Sequence, residues 1–407
     1  MTKSLIGFTL ALFLPTIAGA TTWYVAPTGN DGHTCAQAQS PATAKLTINA
    51  ALACVGSATG AGAGDTVQVA SGTYAETISS WPSGASGNPF VLRSATQHGA
   101  IIRPATTSSY ILNFSSGYVT VEGFVVDGIN VNAINILLNA GTREITIQNC
   151  EIKNTKIGDG TGPGSFQAIY GYDASYARFL NNRIHDIGIG ATTHFNHGIY
   201  WSGSDSLFEG NTIYNVGGNA IQVYTAHGNT MGGNTIRNNK FYDFAAAGVG
   251  NGVYAAGTNN LVYNNIIYQT RTNPNAVGIT LDGAGNQAYH NTVYNNGYIG
   301  LSIAGTGSIA RNNIAFRNGT DVLPSGSQYV IDHNLTADPR FAALSAFDFN
   351  LSATSPAIDA GITVSLVATD VNGVPRPQAH ASDIGAVEFS VGPVAPRPPS
   401  QLHIIRR

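Results

Sequence analysis

The feature that most constrains this chain is a repeat that runs from about residue 119 to about residue 336. An Asn followed two positions later by an apolar residue recurs at spacings of 29, 28, 26, 26 and 22 residues. In all but one turn, a small residue followed by an aliphatic one stands 13 or 14 residues before the Asn. Such a period is typical of one turn of a β-solenoid, in which each turn buries its apolar face against its neighbours. The repeated Asn residues are Asn182, Asn211, Asn239, Asn265, Asn291 and Asn313.

Both columns that accompany the repeat have a structural interpretation. Asn tolerates left-handed backbone conformations, and its side chain can bond the turn or the Asn of the next turn, so we expect the Asn column to be structural. A second column lies one residue beyond each buried aliphatic and faces outward, where stacked rings are the simplest account. Its members are His185, Tyr214, Tyr242, Tyr268, Tyr294 and Phe316.

Composition excludes several classes of protein. Charged residues make up 10% of the 407 residues, with 19 Lys and Arg against 22 Asp and Glu, for a net charge of -3. This balance argues against a coiled coil, a charged disordered chain and a polybasic surface, so we expect no nucleic-acid partner. Hydrophobic residues at 43% are enough for a core. We therefore expect a folded protein, and we expect a monomer.

The first twenty residues have the pattern of a signal peptide. Lys3 precedes an apolar run over residues 5–17, and residues 18–20 are Ala-Gly-Ala, the small-residue pattern at which signal peptidases cut. The run is shorter than a membrane span requires and contains Pro15, so no membrane span is expected. The sequence therefore predicts a secreted, periplasmic or cell-surface protein.

Export also bears on the three cysteines. Oxidising compartments permit disulfides, and Cys35 and Cys54 flank a short helical stretch at residues 46–55, so we expect these two to pair. Cys150 is left over in an apolar strand of the repeat. We expect it to be a buried, inert thiol, because its strand offers no base that would activate it.

Two flanking regions carry a resemblance to a known architecture. Residues 23–31, 64–67 and 71–74 resemble the N-terminal capping region of secreted polysaccharide-active β-helix proteins. Residues 355–361, 373–377 and 383–388 resemble the C-terminal region of bacterial surface β-helix proteins. Together with the repeat, over roughly residues 90–345, the chain resembles the right-handed parallel β-helix proteins of the pectate-lyase-like superfamily.

The resemblance implies an all-β fold, a right-handed single-stranded parallel β-helix with an N-terminal helical cap, and a polysaccharide as partner. We expect a signal peptide at 1–20, the cap at 21–90, the β-helix at 91–345, a C-terminal closing region at 346–391 and a Pro-rich disordered tail at 392–407. Fold resemblance does not supply the reaction, which has to be argued from the site.

The repeat is least regular at two adjacent insertions, and loops inserted into a rigid scaffold often carry function. The first contains Lys153, Lys156 and Asp159, and the second contains Asp186, His194 and His197. The strands that follow present outward tyrosines and one Asp, which form a candidate sugar-binding strip together with Lys153; aromatic stacking on a strand face is the alternative. The strip residues are Tyr170, Tyr172, Tyr200, Tyr224, Tyr254 and Asp282.

The segment 194–200 suggests acid–base chemistry. In β-elimination from a uronic acid, one group stabilises the carboxylate, a base takes the C5 proton and an acid protonates the leaving oxygen. We assign His197 as the base and Tyr200 as the acid, because a His pKa lies near neutrality and a positioned Tyr can share its proton. Lys153 or Lys156 could stabilise the carboxylate or act as the base. The catalytic candidates are His197, Tyr200, His194, Lys156 and Asp186.

Metal use is not assigned from the sequence, and the cofactor is unknown. The His-x-x-His pattern at His194 and His197 suggests zinc, but a third ligand is not identified. Calcium stays open, although Asp173, Asp205 and Asp282 are scattered rather than clustered, unlike the acidic clusters of calcium-dependent pectate lyases.

Three functions remain open. The leading hypothesis is a polysaccharide lyase that cleaves a uronic-acid-containing glycan. The second is a glycoside hydrolase, which needs two carboxyl groups about 5–10 Å apart; Asp186 with Asp159 or Asp205 is the best pair, and the Asp-Asp pair of pectin hydrolases is absent. The third is a non-catalytic glycan-binding or surface protein, which the acid-poor groove and the Pro-rich tail favour.

Overall fold

The computed structural model describes residues 19–56, 60–155, 166–190, 193–224 and 231–390, without the side chain of Thr272. Over these residues the chain coils as a solenoid of three parallel sheets, to which successive turns contribute one strand each. Strands are numbered β1 to β33 in chain order. Lys156 and Asp159, the segment 1–18 and the tail 392–407 lie outside the described residues.

The first sheet contains 12 described strands. They are β1 (Thr22–Val25), β2 (Thr66–Val69), β4 (Phe90–Ser94), β7 (Val119–Glu122), β10 (Ile145–Gln148), β13 (Arg178–Leu180), β16 (Leu207–Glu209), β19 (Thr235–Arg237), β22 (Leu261–Tyr263), β25 (Gln287–Tyr289), β28 (Ile309–Arg311) and β31 (Val330–Asp332).

The second sheet follows the first in each turn and contains 10 described strands. They are β3 (Gly72–Tyr74), β5 (Ala100–Ile102), β8 (Val125–Asp127), β11 (Glu151–Lys153), β14 (Arg183–Ile187), β17 (Thr212–Val216), β20 (Lys240–Tyr242), β23 (Ile266–Asn273), β26 (Thr292–Asn296) and β29 (Ile314–Phe316).

The third sheet contains 9 described strands. They are β6 (Leu112–Phe114), β9 (Ile134–Leu138), β12 (Gln167–Ser175), β15 (His197–Ser204), β18 (Ile221–Val223), β21 (Gly250–Ala255), β24 (Ala276–Leu281), β27 (Ile299–Ile303) and β30 (Thr320–Pro324). Beyond the solenoid, β32 (Phe341–Ala343) pairs antiparallel with β33 (Asp348–Leu351).

The core is one apolar cluster that runs through the interior of the solenoid. Strands such as β10, with the sequence ITIQ, alternate buried and half-buried residues, which is the pattern of a sheet with one face in a core. The interior is closely packed: the Phe179 ring stacks on Phe208 with centroids 5.2 Å apart, and Trp201 meets Phe179 edge to face at 5.3 Å. The sequence prediction of an all-β parallel solenoid is confirmed.

The repeated Asn side chains form a buried ladder at the corner between the first and second sheets. In each step, Nδ2 of one Asn donates to Oδ1 of the next, as from Asn239 to Asn265 at 2.9 Å and from Asn265 to Asn291 at 3.0 Å. Cys150 occupies the column before Asn182, whose Oδ1 accepts the Cys150 backbone N–H. The residue before each ladder Asn, and not the ladder Asn itself, has positive φ; Asn238 and Asn264 are examples.

A second ladder links the third sheet to the first, through Asn234, Asn260 and Asn286. The sequence analysis did not single out this column, although each of its Asn residues also has an apolar residue two positions later, namely Ile236, Val262 and Ala288. Together the two ladders satisfy buried backbone groups at two corners of the turn.

The N-terminal region combines a short helix with the first strands of the solenoid. Helix α1 (Ile48–Val55) begins after Thr47, whose side chain accepts the Ala50 N–H, and 3₁₀ turns precede it at Gln37–Gln39 and Pro41–Thr43. The predicted Cys35–Cys54 disulfide is present. Because β1 and β2 already pair in the first sheet, the solenoid begins within residues 21–90, earlier than the expected boundary at 91.

The C-terminal region lies along the side of the solenoid. Phe349 packs with Tyr268 and Tyr294 outside the second sheet, and Val367 packs with tyrosines outside the first. A 3₁₀ turn at Leu344–Ala346 precedes β33. We expected residues 346–391 to close the end, but Ile331 of the last turn is only partly buried. Outward aromatic side chains give this segment an apolar surface to cover. No helix in the described ranges has the length and apolarity to cross a bilayer.

Candidate functional site on the third sheet

The predicted tyrosine strip lies on the outer face of the third sheet. Strand register aligns Tyr170 with Tyr200, Tyr200 with Gln222, and Gln222 with Tyr254, so these residues form one row along the solenoid. The row continues through Thr280 to Ser302. Tyr172, Tyr224 and Asp282 come two positions later in their turns and flank this row. The sequence period was sufficient to place the row because each turn adds one strand in fixed register.

Ring orientation separates this strip from the aromatic column of the second sheet. In that column Tyr214 and Tyr242 stack nearly parallel, at 4.8 Å and 1°, so each ring covers its neighbour's face. In the strip the Tyr170 and Tyr200 rings meet at 64° and 5.1 Å, and Tyr200 and Tyr224 at 54° and 6.4 Å. Tilted rings cover less of one another's faces than parallel rings do, although the His197 ring stacks against Tyr200 at 26°. An aromatic face with polar groups beside it suits a sugar ring.

The phenols of Tyr200 and Tyr254 are hydrogen-bond donors at neutral pH. Burial, with the nearby Tyr170 ring, raises the pKa of Tyr200 to about 12. Burial also raises the pKa of Tyr254, and so does the hydrogen bond that its hydroxyl donates to Oδ2 of Asp282 at 2.6 Å. The exposed Asp282 carboxylate is therefore fixed beside an aromatic ring.

His197 is brought close to Tyr200, with ring centroids 5.6 Å apart, but it is 2% exposed. Its Nδ1 accepts the backbone N–H of Asn219 at 3.0 Å, which assigns the ring proton to Nε2. Burial, with the nearby His194, lowers the pKa of His197 to about 3. The ring is therefore neutral, and the Nδ1 lone pair that would take a proton already accepts the Asn219 N–H. This state does not suit the general base that the sequence predicted at His197.

A polar network joins His197 to the strip, and the sequence reasoning missed most of it. Asn251 Nδ2 donates to Oδ1 of Asn219 at 2.9 Å, and the Thr280 hydroxyl donates to Oδ1 of Asn251 at 2.7 Å. Asn219 Nδ2 in turn donates to Gln222. One feature of the sequence could have revealed this network: Asn219 and Asn251 stand at the amino ends of successive third-sheet strands, where the strand register aligns them.

Other predicted site residues lie elsewhere. Lys153 and Asp186 belong to strands of the second sheet, where Lys153 approaches Glu151 at 3.4 Å and Asp186 bonds Nδ1 of His185 at 2.7 Å. They do not join the tyrosine row. His194 is exposed, with its ring 4.3 Å from Phe195. Asp186 and Asp205, a carboxyl pair considered for hydrolysis, also lie on different sheets, because Asp186 belongs to β14 of the second sheet and Asp205 follows β15 of the third.

The described residues do not fit a calcium site of the acidic-cluster type. No group of three His, Cys, Asp or Glu side chains within the described ranges could hold a metal ion. Asp173 and Asp282 lie on or beside third-sheet strands four steps apart, and a strand spacing of about 4.8 Å puts them roughly 19 Å apart. No chemical step is therefore assigned to a metal.

Comparison with known proteins agrees with this architecture. Residues 167–336 match the family model described as "Right handed beta helix region". No curated protein matches the sequence significantly. Among solved structures, pectate lyase Pel9A is similar with a TM-score of 0.67 and 17% identity, covering 92% of this chain and 98% of that one.

Two further structures show the same fold. A rhamnogalacturonan lyase is similar with a TM-score of 0.55 and 16% identity, covering 83% of this chain and 96% of that one. A glycoside hydrolase is similar with a TM-score of 0.50 and 9% identity, covering 82% of this chain and 99% of that one. The chain is thus a right-handed parallel β-helix repeat protein with pectate-lyase-like structural neighbours.

Proposed function

We propose that this protein binds an extended polysaccharide along the outer face of the third sheet. The observation that carries the proposal is the set of tyrosines on this outer face, half-buried at Tyr170 and Tyr200 and exposed at Tyr224, which are tilted against one another rather than stacked. Sugar rings stack on such faces, while Asp282, Gln222 and Thr280 supply acceptors and donors for sugar hydroxyls. The polysaccharide names of the two lyase neighbours support this choice of ligand.

The test compares tyrosines of the two aromatic columns. Binding to a panel of soluble polysaccharides is measured by affinity electrophoresis and calorimetry for Tyr200→Ala, Tyr254→Ala and the control Tyr242→Ala. We expect each strip variant to bind about 10-fold more weakly, which corresponds to ~1.4 kcal/mol. Tyr242→Ala should lower thermal stability and keep the affinity of the folded protein. Unchanged binding by both strip variants would refute the proposal.

We propose β-elimination as a second function of the same face, because two of the neighbours are named as lyases and one of them is covered over 98% of its length. His197 Nδ1 already accepts the Asn219 N–H, and Lys153 lies beside Glu151. Lys156 is therefore the candidate for the group that stabilises the carboxylate or for the base. Tyr200 is the candidate acid, since its phenol is protonated at neutral pH.

The lyase proposal is tested by the ultraviolet absorbance of unsaturated uronate products on a panel of uronate polymers. Lys156→Gln should lower turnover by about 10²–10⁴-fold, the range for general acid–base groups. Lys153→Gln is the matched control and should retain turnover. Absence of unsaturated product from the wild-type protein on every polymer, with binding intact, would leave only the binding function. New reducing ends without unsaturated product would favour the hydrolase hypothesis.

We also propose that the protein is exported. The Cys35–Cys54 disulfide supports this, because such bonds persist in oxidising compartments and are rare in reducing ones.

A further inference from the structure

Positively charged side chains are distributed unevenly over the three sheets. The strands described for the third sheet contain no Lys or Arg, whereas those of the other two sheets contain several. Among the described strands, the sheet that carries the tyrosine row is therefore the one without a cation. The cations of the first sheet are Arg93, Arg178, Arg237 and Arg311, and those of the second are Lys153, Arg183, Lys240 and Arg271.

The turns that join the third sheet to its neighbours supply no cation to the middle of the row either. The sequence from residue 188 to residue 286 includes the strands β15 to β24, and its only Lys and Arg residues belong to first-sheet or second-sheet strands. Three arginines stand at corners outside this range, and each contacts Asp127 or an aromatic ring. These three are Arg103, Arg143 and Arg317.

The row itself offers neutral polar groups and carboxylates. Tyr200 and Tyr254 carry phenols that are protonated at neutral pH, and the residues beside them carry amide and hydroxyl groups. Asp282 is exposed, and its Oδ2 accepts the Tyr254 hydroxyl at 2.6 Å, which holds the negative charge against the row. Asp173 adds a carboxylate on β12. This set can bind sugar hydroxyls but has no partner for a sugar carboxylate.

A polyuronate would bring one carboxylate per sugar residue to this face. The row spans five strand spacings from β12 to β27, roughly 24 Å, so a polymer bound along it would place several charges there. A carboxylate that loses water without gaining a cation is destabilised, and a neighbouring carboxylate adds repulsion. The described residues also form no acidic group that could hold a bridging metal ion. An uncharged sugar residue meets none of these costs.

We propose that the tyrosine row selects a polysaccharide whose sugar residues along the row are uncharged, and that Asp282 disfavours polyuronates. This inference rests on the proposed binding function and names its ligand class. It also restricts the second proposed function. A uronate to be cleaved would have to lie at the β12 end of the row, since β12 is the strand that follows Lys156 in the sequence.

Oligosaccharides that differ only in charge test the selectivity. Oligomers of galacturonate, mannuronate and glucuronate are each compared with their carboxyl-reduced forms, in which a hydroxymethyl group replaces every carboxylate. Calorimetry at low ionic strength should show that the wild type binds the reduced form about 10–100-fold more tightly. The difference should shrink at an ionic strength of about 1 M, where the Debye length is about 3 Å. Binding of the reduced form should not depend on salt.

Asp282→Asn should reduce this preference by about 3–10-fold, because it removes the charge and keeps an acceptor. Asp338→Asn is the matched control, since Asp338 is an exposed carboxylate outside the third sheet and its replacement changes the net charge equally. This control should keep the wild-type preference. An unchanged preference in Asp282→Asn would overturn the role of Asp282.

Tyr200→Ala distinguishes failure of this inference from failure of the binding function. Suppose that Tyr200→Ala weakens binding, but the wild type binds the uronate form as tightly as the reduced form. The row is then the binding site, and the selection by charge is wrong. If Tyr200→Ala leaves the binding of every oligomer unchanged, or if the wild type binds neither form, the binding function is overturned and this inference with it.

Discussion

At the scale of single residues, His197 shows how the fold changes the chemistry of a side chain. An exposed imidazole titrates near neutrality, but this one is enclosed and its Nδ1 is occupied by a backbone N–H. The ring therefore acts as a fixed acceptor that holds Asn219, and through it Asn251, beneath the tyrosine row.

His197→Ala should lower the free energy of unfolding by about 1–3 kcal/mol, because it leaves the Asn219 N–H buried without a partner. Glycan affinity per folded molecule should stay within about 2-fold, a change below ~0.5 kcal/mol. Urea unfolding and calorimetry on the same sample measure both quantities. His194→Ala, at an exposed neighbour, serves as the control and should leave stability unchanged. A fully stable His197→Ala protein that has lost turnover would restore the base assignment.

Cys150 is a residue whose state the sequence did predict. It is fully buried, and burial raises the pKa of its thiol to about 12. Its burial was predicted, although the structure places it at the corner between β10 and β11, in the Asn column, and not within a strand. The state of His197 was not predictable in the same way, because it depends on the backbone of Asn219 in the next turn, which the local sequence around the histidine does not reveal.

At the scale of elements, the Asn ladder couples each turn to the next. The Asn239 side chain takes part in four hydrogen bonds: its Oδ1 accepts from N and Nδ2 of Asn211, and its Nδ2 donates to the Phe208 carbonyl and to Oδ1 of Asn265. Removing one member therefore affects the turns on both sides.

Asn239→Ala should lower the free energy of unfolding by several kcal/mol, since each buried group left without a partner costs about 1–3 kcal/mol. The matched control is Asn88→Ala, at an exposed Asn outside the ladder. Chemical denaturation of the two variants beside the wild type gives the comparison. Similar stability of both variants would mean that water replaces the ladder bonds.

The markers of the repeat were sufficient to predict the solenoid, the Asn ladder and the tyrosine row, because all three follow from one period. They did not reveal which residue of the corner is left-handed. At each corner the residue before the ladder Asn, such as Asn238, takes the positive φ, and the ladder Asn does not. Lys153, which we expected to join the strip, and the catalytic candidate Asp186 lie on the second sheet, because nearness in sequence to an insertion does not decide which sheet a residue joins.

At the scale of the whole molecule, His290 ties the C-terminal region to the solenoid. Its Nδ1 donates to the Asp383 carbonyl at 3.0 Å, and its Nε2 accepts from Asn312 Nδ2 at 2.9 Å. Burial, with the nearby Arg376, lowers the pKa of His290 to about 3. His290 and His197 are therefore neutral in the folded protein at pH values where the unfolded chain protonates them.

Both histidines should make the fold sensitive to acid. Their folded pKa values lie below the unfolded value near 6.5. Their contribution is therefore present above pH ~6.5 and is lost as the pH falls towards ~3, at about 1.4 kcal/mol per pH unit for each histidine. Denaturation at a series of pH values should show this dependence of the unfolding free energy on pH. His290→Asn should reduce the slope by about 1.4 kcal/mol per pH unit, the contribution of one histidine. An unchanged slope in His290→Asn would mean that this histidine is charged in the fold.

Two successive turns of the solenoid have the same number of residues, so the solenoid can be shortened or lengthened by a whole turn. The ladder steps from Asn239 to Asn265 and from Asn265 to Asn291 both span 26 residues, and Lys240 pairs in register with Ile266. Excising residues 240–265 would therefore rejoin the chain in phase and shorten the tyrosine row by one strand spacing, about 4.8 Å. Duplicating them would lengthen it by the same increment. If the proposed glycan binding holds, the length of glycan that the row contacts should change in steps of whole turns, while the contacts Tyr254–Asp282 and Thr280–Asn251 would be lost with the excised turn.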